Sequence, residues 1–350
     1  MSTGYHPPVA DPLLTHRTES WRTDLIARDG APLGTLTGIT GGGVDHNAAR
    51  VLHSGGSLDV DDLAQVADWL DLRVRVWWQV AGVDPWPLGT FVCSAPGEAH
   101  TEPGRSWSVD LLDLLSVLDG DGIAGSYSLP AGTVVTDAVR VLITDTGETA
   151  LAVTDSEATL AAGWAWEPGT SRLRIINDLL TSINYFALHT DAYGRFVAAP
   201  YVVPAGREPV RDLTADAIVA PDWTGDQDLT AVPNRVVLIG QGSGDTEALV
   251  GVAENTDPAS RLSIPTRGRT LTHTETGVEA ASQAVLTALA VRRLVDLSTP
   301  SATRTIAHAP VPLALHDVVV HDGVRVAVSS WSLALELGAD MRTGLREVLL

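Results

Sequence analysis

The chain has 350 residues, 43 acidic against 23 basic side chains, a net charge of −20, 45% hydrophobic and 19% charged residues. That length implies two or three domains with substantial cores, and the composition argues for a globular chain rather than a disordered one. Every basic residue other than histidine is an arginine, these are scattered, and Cys93 is the single cysteine; specific nucleic-acid binding, an intrachain disulfide and a cysteine metal cluster are therefore not expected.

Met1–Pro8 lacks a basic region followed by an apolar run, so no signal peptide is expected, and folding in a cytoplasm is. No segment approaches the roughly 18 apolar residues of a membrane span. Residues 1–20 carry several prolines and little periodicity, and read as an extended arm.

Strands follow. Trp21, Thr23, Leu25 and Ala27 alternate with Arg22, Asp24 and Arg28, and Asp29-Gly30 is a hairpin turn signal. Gly41–Gly43 and Gly55-Gly56 read as breaks between short strands. Over 73–80, Val74, Val76, Trp78 and Val80 share one face while Arg73, Arg75, Trp77 and Gln79 share the other. Gly89–Ser94 and Ser106–Leu112 continue the alternation, and residues 21–118 read as a first β-barrel. Cys93, inside one of these strands, reads as a small buried hydrophobe.

Residues 119–212 read as an α/β domain. Thr133 is placed to cap a helix running to about Asp145, with Val135, Val139 and Leu142 at helical spacing. A second helix starts near Thr170–Ser171, with the stripe Leu173, Ile176, Leu180 and Ile183. Asn184–Thr190 and Arg195–Tyr201 flank the turn Asp191–Gly194, in which Gly194 takes the left-handed position.

Residues 213–350 read as a second β-barrel with an inserted helix at about 277–297. Val232–Ile239 is a buried strand. The helix presents Ala281, Val285, Ala288, Val291 and Val295 on one side. Asp322-Gly323 turns a hairpin whose second arm aligns Val324, Val326 and Val328, and then Trp331, Leu333, Leu335 and Leu337. The change of phase at Ser329-Ser330 predicts a β-bulge. The fold class expected is β-dominated α+β.

Candidate chemistry is sparse. Gly240–Gly244 follows a strand, but its third Gly falls one residue early for a dinucleotide loop, and no helix pattern follows. His316-Asp317 and His321-Asp322 read as surface polar residues, since residues five apart on a strand face opposite ways. Asp59, Asp61, Asp62, Asp68 and Asp71 lack the spacing of a calcium loop. No catalytic, cofactor or metal residue is assigned. Among the ten tryptophans, Trp77, Trp78, Trp86, Trp164 and Trp166 are candidates for interfaces or for core packing.

The ordered blocks Asp68–Asp71, Arg73–Trp78, Pro87–Ser94, Tyr127–Thr133, Trp166–Thr170, Ile175–Leu180, Ile183–Phe186, Asp191–Gly194, Val232–Arg235 and Ser263–Arg269 resemble, in this order, minor tail proteins of long-tailed actinobacterial phages. The resemblance covers roughly residues 20–320 and implies a tail-tip, or baseplate, hub. It implies two tail-tube-like β-barrels per subunit with an α/β domain between them, and a homotrimer presenting pseudo-sixfold symmetry to a hexameric tube. It implies as partners the distal tail protein, the tape-measure protein and other tail-tip or fibre proteins, with assembly in the host cytoplasm and residence at the virion tail tip. A chain ending at Leu350 is expected to be the bare hub, with no enzymatic extension. Arg73, Arg75, Trp77 and the arm Tyr5–Leu14 are then the candidate interface residues. A receptor- or carbohydrate-binding tip module and a cell-wall hydrolase are the competing readings.

Overall fold

The computed structural model describes residues 13, 17–61, 69–70, 72–94, 97–101, 104–213, 224–226, 230–240, 248–298 and 303–347. Eight strands open the chain: β1 (Glu19–Ala27), β2 (Pro32–Leu36), β3 (Ile39–Asn47), β4 (Ser54–Val60), β5 (Leu72–Val80), β6 (Trp86–Cys93), β7 (Gly97–Thr101) and β8 (Gly104–Asp113). The middle holds α1 (Ser116–Asp119), β9 (Tyr127–Leu129), α2 (Val135–Thr144), β10 (Leu151–Val153), β11 (Trp164–Trp166), α3 (Arg172–Ser182), β12 (His189–Thr190) and β13 (Phe196–Ala198). Then come β14 (Arg211–Asp212), β15 (Thr224–Asp226), β16 (Arg235–Gly240), β17 (Val250–Glu254), α4 (Ile264–Arg267), β18 (Thr272–Val278) and α5 (Gln283–Ser298). The chain closes with β19 (Thr303–His308), β20 (Val318–His321), β21 (Val324–Ala334) and β22 (Met341–Glu347). The fold is β-dominated α+β.

The first and last strand groups are joined. Residues Gly43–Asn47 of β3 pair antiparallel with Ser330–Ala334 of β21. One 14-stranded sheet results, with the path β15-β19-β22-β21-β3-β4-β8-β6-β5-β1-β2 and side branches at β7, β14 and β20. The barrel strands expected at the two ends of the chain therefore share a sheet, and a single core runs from Leu25, Val74 and Phe91 to Val326, Trp331 and Leu345.

The glycine pairs do not break strands. Gly41–Gly43 lies inside β3 and Gly55-Gly56 inside β4, with Gly42 opposite Leu58 and Gly56 opposite Val44. A Cβ on Gly42 would meet Ser57 O at 2.2 Å, and one on Gly56 would meet Gly43 O at 2.1 Å. These strands approach more closely than side chains allow, which is the use of glycine there.

In β5, Val74, Val76, Trp78 and Val80 are buried while Arg75, Trp77 and Gln79 stay half-buried. The Asp322-Gly323 turn has both residues at positive φ, 53° and 72°, the geometry that matches strand twist in a two-residue hairpin. The register of β21 against β22 shifts between Val328 and Ser330, as the change of phase predicts. Trp331, Leu333 and Leu335 are buried beyond it, but Leu337 lies past the strand and is 75% exposed.

A second core packs α1, α2 and α3 against the β10-β13-β12 sheet and the β9–β11 pair. Leu173, Ile176, Leu180 and Ile183 are buried as their spacing implies. Ser171 caps α3 by accepting from Arg174 N–H, whereas Thr133 does not cap α2. Its hydroxyl donates to Pro130 O, and Val135 N–H is instead satisfied by Ala158 O at 3.1 Å.

Residues 235–298 make a third core rather than barrel strands. The sheet β17-β16-β18 is covered on one face by α5. The helix is shorter than expected because Thr272–Val278 is a strand. Its buried face is Leu286, Leu289, Ala290 and Leu294 with Val295, while Val291 is 39% exposed. Leucines took the core in place of the Ala/Val stripe because they bury more apolar surface per position.

Candidate functional site

The polar face of β1 and β5 carries an aromatic–guanidinium ladder. Register places Arg22 opposite Trp77 and Asp24 opposite Arg75, all on one face. The guanidinium carbons of Arg22 and Arg75 stand 4.8 and 5.9 Å from the Trp77 ring centroid, and Tyr193 meets the ring edge-on at 6.0 Å. Trp77 Nε1 donates to Asp24 Oδ2 at 2.8 Å, and Arg22 Nε pairs with Asp24 Oδ1 at 3.1 Å.

The 191–194 turn completes the ladder. Gly194 adopts φ +79°, the left-handed position expected of it. Arg75 Nη2 donates to Tyr193 O at 2.8 Å, and Thr90 Oγ1 donates to Ala192 O at 2.9 Å. Desolvation is the largest influence on Arg75 and lowers its pKa, with Asp24 and Tyr193 working against it. Tyr193 is 51% exposed at the outer end. Large aromatics and arginine presented together on a rigid sheet are the residue types that anchor protein contacts.

Arg75 and Trp77 are thus brought together, and Arg73 is not with them. Arg73 is buried and its Nη2 donates to Glu148 Oε2 at 2.6 Å, clamping β5 onto the α2–β10 connection, with Arg28 3.6 Å from the same carboxylate. Tyr5 and Leu14 lie outside the described residues, as do Asp62, Asp68, Asp71 and Gln241–Gly244. Leu13 is described, and is buried in the large core, where Arg17 Nη1 donates to both Leu13 O and Pro310 O.

Cys93 is 2% exposed and burial pushes its thiol up to about 12, which leaves it inert. Trp78 is fully buried, and Trp86 packs between it and Trp331. Trp166 packs on both Trp164 and Tyr127, and its Nε1 donates to Asp178 Oδ2 at 3.0 Å.

The histidines correct the surface reading. His321 is 4% exposed. His316 adopts φ +69°, and burial together with Arg346 and Arg207 pulls its pKa down to about 3. No group of three or more His, Cys, Asp or Glu among the described residues could hold a metal. Sequence reasoning missed Asp113, buried where the first two cores meet. Its Oδ2 accepts from Ser54 N–H and Oγ, and its Oδ1 from Leu115 N–H and Thr190 Oγ1. Nothing in a strand-terminal aspartate distinguishes it from a solvated one, because its side-chain partners Ser54 and Thr190 lie 59 and 77 residues away.

The chain matches no protein-family model and no curated protein. Solved structures do match over nearly its whole length. A tail protein of Neisseria meningitidis MC58 aligns with a TM-score of 0.66 at 15% identity, covering 94% of this chain and 96% of that one. The fold is that of phage tail proteins. A 43 kDa tail protein of prophage MuSo2 from Shewanella oneidensis gives 0.64 at 12% identity, covering 93% and 98%. An Escherichia coli type VI secretion component, itself similar to the T4 tail proteins gp27 and gp5, gives 0.53 at 10% identity, covering 95% and 75%. At these identities the likeness is one of fold. The Trp77 ladder lies on the polar face of the sheet that unites both ends of the chain.

Proposed function

We propose that the chain is a structural tail-tip hub of a long-tailed phage, a homotrimer whose subunits ring the end of the tail tube. Its partners would be the distal tail protein, the tape-measure protein and other tail-tip or fibre proteins. Its work is assembly, closure of the lumen and opening for genome ejection, without turnover of a substrate. The observation that carries this reading is the match of more than nine-tenths of the chain to two tail proteins at nearly their full length.

In this reading Arg75, Trp77 and Tyr193 form part of a subunit contact, together with the arm at Tyr5–Leu14. Arg73 supports that contact from behind through its pairing with Glu148. Carboxylates turned toward the lumen repel DNA phosphates and keep the genome from lodging during ejection, in keeping with a net charge of −20.

Light scattering of the purified protein tests the proposal, with a mass of three chains expected and Trp77→Ala shifting the mass toward one. A monomer at high concentration that is also absent from the tail tips of purified virions would overturn it. So would release of muropeptides from host walls that a single carboxylate substitution abolishes.

A further inference from the structure

Strand β11 reads Trp164-Ala165-Trp166, so both indoles leave the same face of the strand. Register sets Trp166 opposite Tyr127 of β9, and the two Trp rings meet edge to face at 5.6 Å. The pair packs on the second core yet stays half-exposed. It borders an open groove of about 630 Å³, within the size range of ligand sites.

The opposite wall belongs to the third core. A bulge at Gly277, with φ +73°, ends β18 and turns Val278 and Glu279 onto the groove. Ala281 N–H donates to Ser182 O at 3.1 Å, at the end of α3, and this bond fixes the separation of the two walls.

Helix α3 supplies the polar groups between them. Asp178 Oδ2 accepts from Trp166 Nε1 at 3.0 Å, and its Oδ1 accepts from Arg174 Nε at 2.9 Å. Arg174 is thereby oriented while its side chain stays 72% exposed, and neither of its Nη groups has a partner among the described residues. Thr181, one turn beyond Asp178, is exposed on the same groove. Glu279 and the indole N–H of Trp164 also make no hydrogen bond or ion pair among the described residues, and neither is shielded from solvent. Donors and acceptors are thus set side by side next to an aromatic pair, within reach of a ligand.

The charges select what kind of ligand. Arg174 is already neutralised by Asp178, and Glu279 adds a second carboxylate, so an anion is repelled. An ammonium cage needs ring faces turned to one point, whereas here one indole offers its edge to the other. We infer that this groove binds a neutral oligosaccharide, with the C–H face of a pyranose ring against the Trp164–Trp166 pair and its hydroxyls held by Arg174, Asp178 and Glu279. A sugar hydroxyl both donates and accepts, so neighbouring hydroxyls can accept from the guanidinium and donate to the carboxylates at once. Such bonds to ionised groups are the stronger ones, and the apolar ring face is covered by the indoles. The groove lies within one subunit, so its test is read independently of the trimer.

Ligand-observed NMR of the full chain with N,N′-diacetylchitobiose, cellotriose, maltotriose and, separately, choline tests the site. Saturable binding of at least one saccharide is expected, with saturation transfer strongest at ring C–H protons, and none is expected for choline. Arg174→Ala, which alters an exposed side chain, should weaken binding about tenfold by removing a charge-assisted bond. Trp164→Leu, which keeps an apolar contact with the second core, should abolish the transfer to ring protons; should that variant not fold, Arg174→Ala alone decides. Arg50→Ala, at an exposed arginine outside the groove, should leave binding unaltered. Absence of saturable binding by every saccharide up to about 20 mM, beyond which a contact is too weak to be specific, would overturn the inference. Binding of choline in their place, unaltered affinity in Arg174→Ala, or equal weakening by Arg50→Ala would overturn it as well.

Discussion

Single residues join the cores, and their removal should be felt well beyond their size. Arg73 and Glu148 are both buried, and breaking such a pair leaves an uncompensated charge. Glu148→Ala is expected to cost about 3–5 kcal/mol in urea unfolding. The double change Arg73→Met with Glu148→Leu should recover most of that, because two apolar side chains carry no desolvation penalty. Burial is the largest cause lowering His46, His53, His189 and His316. Their folded pKa values lie below the unfolded value of about 6.5, so the unfolded chain binds more protons there. Stability is full above pH 6.5 and falls as the pH drops below it, down to about 3 for His316. Asp296 and Asp317, raised chiefly by burial, act in the opposite direction, but they are two against four. The urea midpoint should decrease between pH 7.5 and 5, and His316→Asn, which tolerates the left-handed backbone, should flatten that decrease. A flat profile in the wild-type chain would refute it.

Elements follow local rules where their partners are local. Ser171→Ala should destabilise by about 1 kcal/mol, because the Ser171 hydroxyl accepts from Arg174 N–H. Thr133→Ala should cost well under that, since the Thr133 hydroxyl donates to the nearby Pro130 carbonyl and not to a helix terminus. Equal losses from the two would contradict the capping assignments. Alternation along β5 and the i, i+3, i+4 stripe of α3 were legible because each depends on one face and one core. The stripe of α5 was not, because two overlapping stripes are available, Ala/Val and Leu-rich, and only the sheet it packs on chooses between them. That contact is tight: a Cβ on Gly251 would lie 2.5 Å from Leu286 O. Gly251→Ala should force α5 off the sheet and cost about 1–3 kcal/mol, read as a lowered urea midpoint.

For the whole molecule, the joining of β3 to β21, from opposite ends of the chain, is the decisive event. His46 stacks on Trp331 at 4.2 Å across the β3–β21 seam, and Trp331 reaches Trp86 at 5.4 Å. A chain bearing His46→Ala should lose cooperativity between its two strand groups, visible as a broadened calorimetric transition. A single sharp transition at unchanged temperature would argue against that role for the seam. Sequence by itself determined the β-dominated class, the faces of β5 and α3 and the bulge at Ser329-Ser330, since each follows from the period of neighbouring residues or from local backbone geometry. Tertiary structure alone decided that the two strand groups share one core, that His321 is withdrawn from solvent and His316 half-buried, and that Arg73 is spent on Glu148. Those outcomes depend on what arrives from distant parts of the chain, and burial, which sets the strength of every charge and hydrogen bond, exists only once the pieces have met.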